Sequence, residues 1–324
     1  MQTRRGCLLS LAAVAALAPM RRAQAESWPQ RPVRIVVPFP AGGNTDTIAR
    51  LIGQRLGEAL GQQFVVENRA GAAGAIAAET VVRSPADGHT LLMATLGQMA
   101  VVPATTRAPY NPIRDFAPIS NIGTNPFVLA VHPGVPARTL TEFIAYVRAQ
   151  PSGLTYAAAG AGDLIHLATA LFLKRAGLEL TPVMYKGSAP ALADVIAGHV
   201  PIHLSPLSGV LPAAAAGAVR LLAVSSEKRA PQIPDVPTFI ESGFPGFKIL
   251  TWNGLVAPAG TPAEIIDRVH HELTLAVRDP AFAERLVNTG VDPLGNSPEE
   301  FAAMIAADVQ FWAEAVKIAG VQPN

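Results

Sequence analysis

Residues Val33 to Leu60 read VRIVVPFPAGGNTDTIARLIGQRLGEAL, a short β-branched run that breaks on prolines and glycines and passes straight into an amphipathic pattern. Arg34 to Val37 has the character of a fully buried strand, and Pro38, Pro40, Gly42 and Gly43 end it. The spacing of Ile48, Leu51, Ile52, Leu56 and Leu60 predicts a helix from near Thr45, while Arg50, Gln54, Arg55 and Glu58 fall largely on the opposite face. A strand, a glycine turn and a helix together form the repeating unit of α/β sheets. The first turn of such a helix has N–H groups without intrahelical partners at the positive end of the peptide dipole, which makes it a socket for an anion. The alternative is a plain cap by Asn44, Thr45 or Asp46. Asp46 also opposes an anionic ligand unless it is turned aside or meets a ligand ammonium group.

The unit recurs without a fixed period. Phe64 to Glu67 reads as a strand, followed by Asn68 to Gly74 and a helix through Ile76 to Val82. Thr90 to Ala94 is another buried strand, ending at Thr95-Leu96-Gly97-Gln98, and Val128 to Val131 is the next, after an irregular segment from Pro103 to Pro126. A helix spans Thr139 to Gln150, with Thr139 and Glu142 at capping-box spacing. Strand Leu154 to Ala157 then leads through Ala158 to Gly162 into a helix, and strand Pro182 to Tyr185 leads through Lys186-Gly187-Ser188 into another, which Ser188 is placed to cap. Strands near Ile202 to Leu204 and Arg220 to Val224 complete this region, and Pro231 to Gly246 reads as a surface connection. After strand Ile249 to Val256, Thr261-Pro262-Ala263-Glu264 and Ser297-Pro298-Glu299-Glu300 each open a helix, the last ending at Gly320, and this C-terminal helix pair is expected to pack back on the first lobe.

Residues 1–25 read as an export signal, with Arg4 and Arg5, the apolar run Leu8 to Ala18, and Ala23-Gln24-Ala25 as the cleavage site. TRRGCLL is similar to a twin-arginine signal. Removing it takes away four arginines and the single cysteine, Cys7, leaving 299 residues with 21 basic and 24 acidic side chains. That length suits two lobes with separate cores. The balance of charge gives no footprint for nucleic acid, and no run after the signal approaches the roughly 18 to 20 apolar residues a membrane span needs. Without cysteine there is no disulfide, thiolate ligand or thiol nucleophile.

In open α/β sheets, ligands sit beyond the carboxyl ends of the strands. The glycine loops at 42, 71, 160 and 187 all fall there and point to a polar crevice built mainly from backbone, with hydroxyls from Thr45, Thr95 and Ser188. Lys186 and Arg69 are either ligand cations or solvated side chains; Tyr185 is either a pocket wall or core. Asp163 reads as a helix cap and His166 as a packing or loop-tethering residue before either reads as a catalytic group. Ser205 and Ser208 do not make a G-x-S-x-G elbow, Lys186-Gly187-Ser188 reverses the P-loop order, and no histidine has metal-site company.

PFPAGGNTDTIAR, VVENRAGAAG, SPADGHTLLMAT, GAGDLIHLA, YKGSAPALADVIAG, PDVPTFIESG, WNGLVAPAGTP and SPEEF together resemble the Bug family of tripartite tricarboxylate transporter substrate-binding proteins, over essentially the whole chain after the signal. The resemblance implies a two-lobed α/β periplasmic binding protein of type II-like form, each lobe a mixed sheet flanked by helices. The ligand, a small carboxylate, sits in the interlobe cleft. It divides the chain into residues 26–124 with 252–324 as the first lobe and 125–251 as the second. It implies ligand contacts, through main-chain groups and ordered waters, from Ala41, Gly42, Gly43, Asn44, Thr45 and Asp46 and from Ala158, Ala159, Gly160, Ala161 and Gly162; Thr95, Tyr185, Lys186 and Ser205 join the candidate set on the chemistry of their own side chains. It also implies hinge closure, a membrane permease as partner, a monomer, no cofactor and no metal. His89, Met184 and Ala159 depart from the usual tyrosine, proline and serine of the pattern, which leaves the ligand's identity open. The readings from other classes are a ligand-loaded partner of a membrane sensor, and an exported enzyme using Asp46, His166 or Lys186 as acid or base.

Overall fold

The computed structural model describes residues 28–150, 153–160, 162–185 and 187–319; the expected export signal lies outside them. The opening stretch folds as expected. Strand β1 (Val33–Val37) is buried, and helix α1 (Asn44–Leu60) places Ile48, Ile52, Leu56 and Leu60 against it. Gly61, in the left-handed region at φ 71°, ends the helix. Strand β2 (Phe64–Asn68), helix α2 (Ala75–Val82) and strand β3 (Thr90–Thr95) follow, and β1 lies parallel between β2 and β3. The chain then makes a turn of π-helix over Gly97–Val101 and a short helix α3 (Val102–Thr105), neither anticipated from the sequence.

The segment read as irregular up to Pro126 contains most of the longest strand. Strand β4 (Phe116–Val131) runs for 16 residues. Its register shifts between Pro118 and Ser120 and between Asn121 and Gly123, so the proline falls where the ladder is already broken. Buried Ser120 and Asn121 hide the strand from any apolar pattern, yet both are satisfied: the Ser120 hydroxyl donates to the Asn296 carbonyl and the Asn121 N–H to Asn296 Oδ1, each at 2.8 Å.

The second region follows in chain order as helix α4 (Leu140–Arg148), strand β5 (Leu154–Ala158), helix α5 (Leu164–Ala176), strand β6 (Leu180–Met184), helix α6 (Ser188–Ile196), strand β7 (Ile202–Pro206), helix α7 (Leu207–Ala215) and strand β8 (Arg220–Val224). Strand β9 (Leu250–Pro258), helices α8 (Ala263–Arg278) and α9 (Pro280–Val287), the two-residue strand β10 (Asp292–Pro293) and helix α10 (Pro298–Ala319) complete the described chain. The strands form one path, β2-β1-β3-β9-β4-β7-β5-β6, with β8 and β10 also paired to β4. Strand β4 joins the two lobes: through Pro126 it pairs with β9, and from Phe127 it pairs with β7 and β8.

Among the described residues, three apolar clusters make up the core. One belongs to the first lobe, where α8 and α9 insert Val269, Leu273 and Leu286 beside α1. One belongs to the second, under α6 and α7. The third runs through both, from Val36 and Leu92 to Phe143 and Phe172, and includes Phe301, Ile305 and Trp312 of α10. The C-terminal helices therefore divide: α8 and α9 return to the first lobe, whereas α10 spans both, because its apolar stripe is long enough to cover the crossover. The connection expected on the surface between Pro231 and Gly246 buries Phe239 instead, packed 4.6 Å from Phe247 and 5.2 Å from Phe172. Isolated aromatics in a proline-rich run have no period to betray burial.

The capping expectations also divide. Thr139 with Glu142, and Ser297 with Glu300, cap their helices. The Thr261 hydroxyl donates to the Pro258 carbonyl instead, and α8 starts after Pro262 without a side-chain cap.

Candidate ligand-binding cleft

The registers bring the carboxyl ends of five strands to one place. Thr95, at the end of β3, lies opposite Asn253 of β9, close to where Leu250 pairs with Pro126. On the other side of that crossover, Ser205 and Pro206 of β7 lie opposite Val128 and Phe127. Strand β5 runs parallel to β7 and to β6, so Ala158 and Met184 end on the same side. The loops leaving β1, β3, β5, β6 and β7 thus face one another across the hinge, as a crevice at the strand ends requires. The lobes also touch there: a Cβ on Gly97 would lie 3.7 Å from that of Leu164, and one on Gly162 would lie 3.4 Å from that of Thr105.

In the first lobe, the cap of α1 is Gly43, and no side chain closes the helix. Asn44, Thr45 and Asp46 are its first three residues, not its caps. Asp46 is turned aside, 3% exposed, and accepts from the Gly42 N–H, Arg50 Nε and Asn68 Nδ2, each at 2.9 Å. Burial works against its charge, but Arg50, Gly42 and Asn68 outweigh it and hold the carboxyl below its ordinary value. The first-turn N–H groups behind Ala41, Gly42 and Gly43 are therefore left without a competing carboxylate. Arg69 is engaged with Glu67 at 2.6 Å, so it is not held ready for a ligand.

The loop after β2 passes through four successive positive φ values, at Gly71, Ala72, Ala73 and Gly74. Gln98 holds this turn. Its buried Nε2 donates to the Gly74 carbonyl at 2.6 Å, and a Cβ on Gly74 would come within 2.9 Å of Pro38. Two first-lobe loops are thereby locked together. Thr95 supports the arrangement by accepting from the Gln98 N–H at 3.4 Å, so its hydroxyl serves the turn. Gln98 was missed because glutamine after a strand carries no signal of its own.

In the second lobe, the Tyr185 N–H donates to the Ala158 carbonyl at 2.8 Å and the Gly187 N–H to the Ala159 carbonyl at 3.0 Å, zipping two loops side by side. Asp163 caps α5 through the His166 N–H, and burial pushes its carboxyl up to about 7. His166 is the tether its position suggested: Nδ1 accepts from the Gly162 N–H at 3.0 Å, and the ring stacks on Tyr156. The Tyr185 hydroxyl donates to Asp194 at 2.7 Å and is thus spent outside the loops. Ala161 and Lys186 lie outside the described residues.

Ser188 is the first residue of α6; the cap is Gly187, and no side chain closes this helix either. The Ser188 hydroxyl instead meets His203 Nε2 at 3.2 Å and the Ser205 hydroxyl at 3.0 Å, while His203 Nδ1 lies 2.9 Å from the Ala157 carbonyl. Burial drives the His203 imidazole down to about 4. Helices α1, α2 and α6 all open on glycine toward the crevice, whereas α4, α5 and α9 are closed by Thr139, Asp163 and Asp279. At the starts of α1 and α6, no side chain among the described residues caps the first-turn N–H groups.

Comparison with known proteins agrees with this geometry. The sequence model for the tripartite tricarboxylate transporter family receptor matches residues 48–321. The chain is 35% identical over 300 residues to protein BugT of Bordetella pertussis, covering 92% of each chain. Among solved structures, R. palustris Rpa4515 with adipate superposes with a TM-score of 0.87 at 38% identity, covering 92% of this chain and all of that one. MatC of Rhodopseudomonas palustris with bound malate gives 0.81 at 33%, covering 89% of this chain and all of that one. A chain matched over this much of its length, with two lobes joined by one continuous strand and helix N-termini left open at the cleft, belongs to the receptor family of the tripartite tricarboxylate transporters.

Proposed function

We propose that this protein captures a small carboxylate-bearing solute between residues 26–124 with 252–324 and residues 125–251, and delivers it as a monomer to a membrane permease. The observation that carries the reading is the pair of uncapped helix N-termini, Gly43–Asn44 in one lobe and Gly187–Ser188 in the other, at strand ends that share a hinge. Each charge-assisted bond from such N–H groups contributes about 1.5–3 kcal/mol, so several together offset the desolvation of a carboxylate. The set is Ala41 to Asp46 and Thr95 on one side, with Ala158 to Gly162, Tyr185, Lys186 and Ser205 on the other. Within it, Asp46, Thr95 and Tyr185 shape the loops and the backbone meets the ligand. A solute bonded to both lobes favours the closed arrangement. No reaction is catalysed on it: His166 accepts from the Gly162 N–H, His203 donates to the Ala157 carbonyl, and Asp46 is held by Arg50. Residues 1–25 direct export through the twin-arginine route to the periplasm.

The test is native mass spectrometry of the gently purified protein, followed by a thermal-shift screen of mono- and dicarboxylates that includes adipate and malate. A carried acid, or an acid that raises Tm by binding the folded state, is the expected result. Stabilisation by a sugar, an amide or a cation, with none by any carboxylate, contradicts the reading.

A further inference from the structure

We infer that Ser188, oriented by Ser205 and His203, determines specificity in the cleft, selecting solutes that carry a hydrogen-bond donor, a hydroxyl or an ammonium group, beside the carboxylate. This rests on the carboxylate reading above. The basis is the fixed direction of one hydrogen-bond chain. His203 is wholly buried on β7, and its Nδ1 lies 2.9 Å from the Ala157 carbonyl oxygen. A carbonyl only accepts, so Nδ1 carries the proton, and in the neutral ring Nε2 is a bare acceptor. The Ser188 hydroxyl, 3.2 Å away, gives its single proton to Nε2. The Ser205 hydroxyl, 3.0 Å from Ser188, then has to be the donor of that pair. Every proton is assigned by the chemistry of its partner, and the chain runs Ser205 to Ser188 to His203 to Ala157.

What the two serines leave over are oxygen lone pairs. Turning the Ser188 hydroxyl toward a carboxylate would strip the buried Nε2 of its donor, so the chain resists reversal. Ser205 is wholly buried, whereas Ser188 is only partly buried, so of the two serines it is Ser188 that reaches toward the cleft. A Cβ on Gly209 of α7 would stand 3.7 Å from Ser205 Oγ and 3.9 Å from Ser188 Oγ, and glycine keeps that space open. Ser188 opens α6, so its oxygen lies beside the N–H groups of the helix terminus. A carboxylate takes the N–H groups while a neighbouring hydroxyl or ammonium donates to Ser188. A second carboxylate at that place meets lone pairs and is disfavoured.

The experiment is titration calorimetry on the full-length exported chain with matched acids differing by one hydroxyl: propionate and lactate, succinate and malate, glutarate and 2-hydroxyglutarate. The hydroxy acid of at least one pair should bind about tenfold more tightly. In Ser188→Ala the advantage should fall below about threefold. Gly209→Ala, which sets a methyl group 3.9 Å from Ser188 Oγ without removing a proton from the chain, should erode the same advantage. Equal affinities in every pair that binds, or an advantage surviving in Ser188→Ala, overturn the inference and leave the carboxylate reading in place; no binding by any acid removes both. Long-range 1H–15N spectra give an independent check. They should show His203 neutral and protonated on Nδ1, and a proton on Nε2 overturns the inference whatever the ligand.

Discussion

Asp46 shows how a single acid can stand at the mouth of an anion site without spoiling it. Its carboxylate is enclosed by three donors, and the nearest helix turn is left bare. Its lowered value means that its contribution to stability is present above the ordinary carboxylate range and is lost as pH falls through the folded-state value. Asp46→Ala should therefore cost about 2–3 kcal/mol at pH 7 in urea unfolding, the cost expected for removing a buried, charge-assisted partner. The difference should shrink as pH falls below the ordinary carboxylate range; a difference that stays constant there would mean that Asp46 acts by packing alone. The sequence already raised the possibility that Asp46 turns aside, since the charge conflict was legible. The partners were not, because Asn68 lies 22 residues away on the next strand.

Between elements, the same question of charge arises where α10 meets β9. The Trp252 indole N–H donates to Asp308 at 2.8 Å, and burial raises that carboxyl to about 6. A raised acid stabilises the fold below its unfolded value near 4 and ceases to do so as pH climbs through 6. Asp308→Asn keeps an acceptor for the indole and never ionises. Its stability relative to the natural chain should be unchanged near pH 4 and greater by about 1–2 kcal/mol at pH 8, with chemical denaturation at both pH values as the check. Elements with clean periodicity, such as β1, α1 and α5, were readable from the chain alone. Strand β4 was not, because Pro118, Ser120, Asn121 and Asn125 interrupt its apolar pattern and the burial of the three polar residues depends on partners such as Asn296 and Ser208 from distant segments. Helix α7 was hidden by Pro212 and by a composition of small residues.

Across the whole molecule, β4 crosses between the lobes, and one buried side chain stitches it to the segment that returns into β9. The Phe127 N–H donates to the Ser225 hydroxyl at 2.8 Å, and that hydroxyl donates in turn to the Ile249 carbonyl. Ser225→Ala leaves both backbone groups without their partner, so a loss of about 1–3 kcal/mol is expected in thermal or urea unfolding; a change under about 0.5 kcal/mol would show that water replaces the hydroxyl. The glycine loops at both ends of the cleft were visible in the sequence, as was their sharing between two halves. Their convergence was not, because it follows from the register of β3 on β9 and of β7 on β4.

The site is defined by backbone N–H groups, so their resonances are the most direct probe. In 15N-labelled protein titrated with adipate, malate and the other acids of the screen, amides of Asn44 and Thr45 in one lobe and of Ser188 and Ala189 in the other should shift together, with one Kd. Shifts confined to one lobe, or carboxylate binding that leaves all four amides unmoved, would contradict a carboxylate held between two open helix ends.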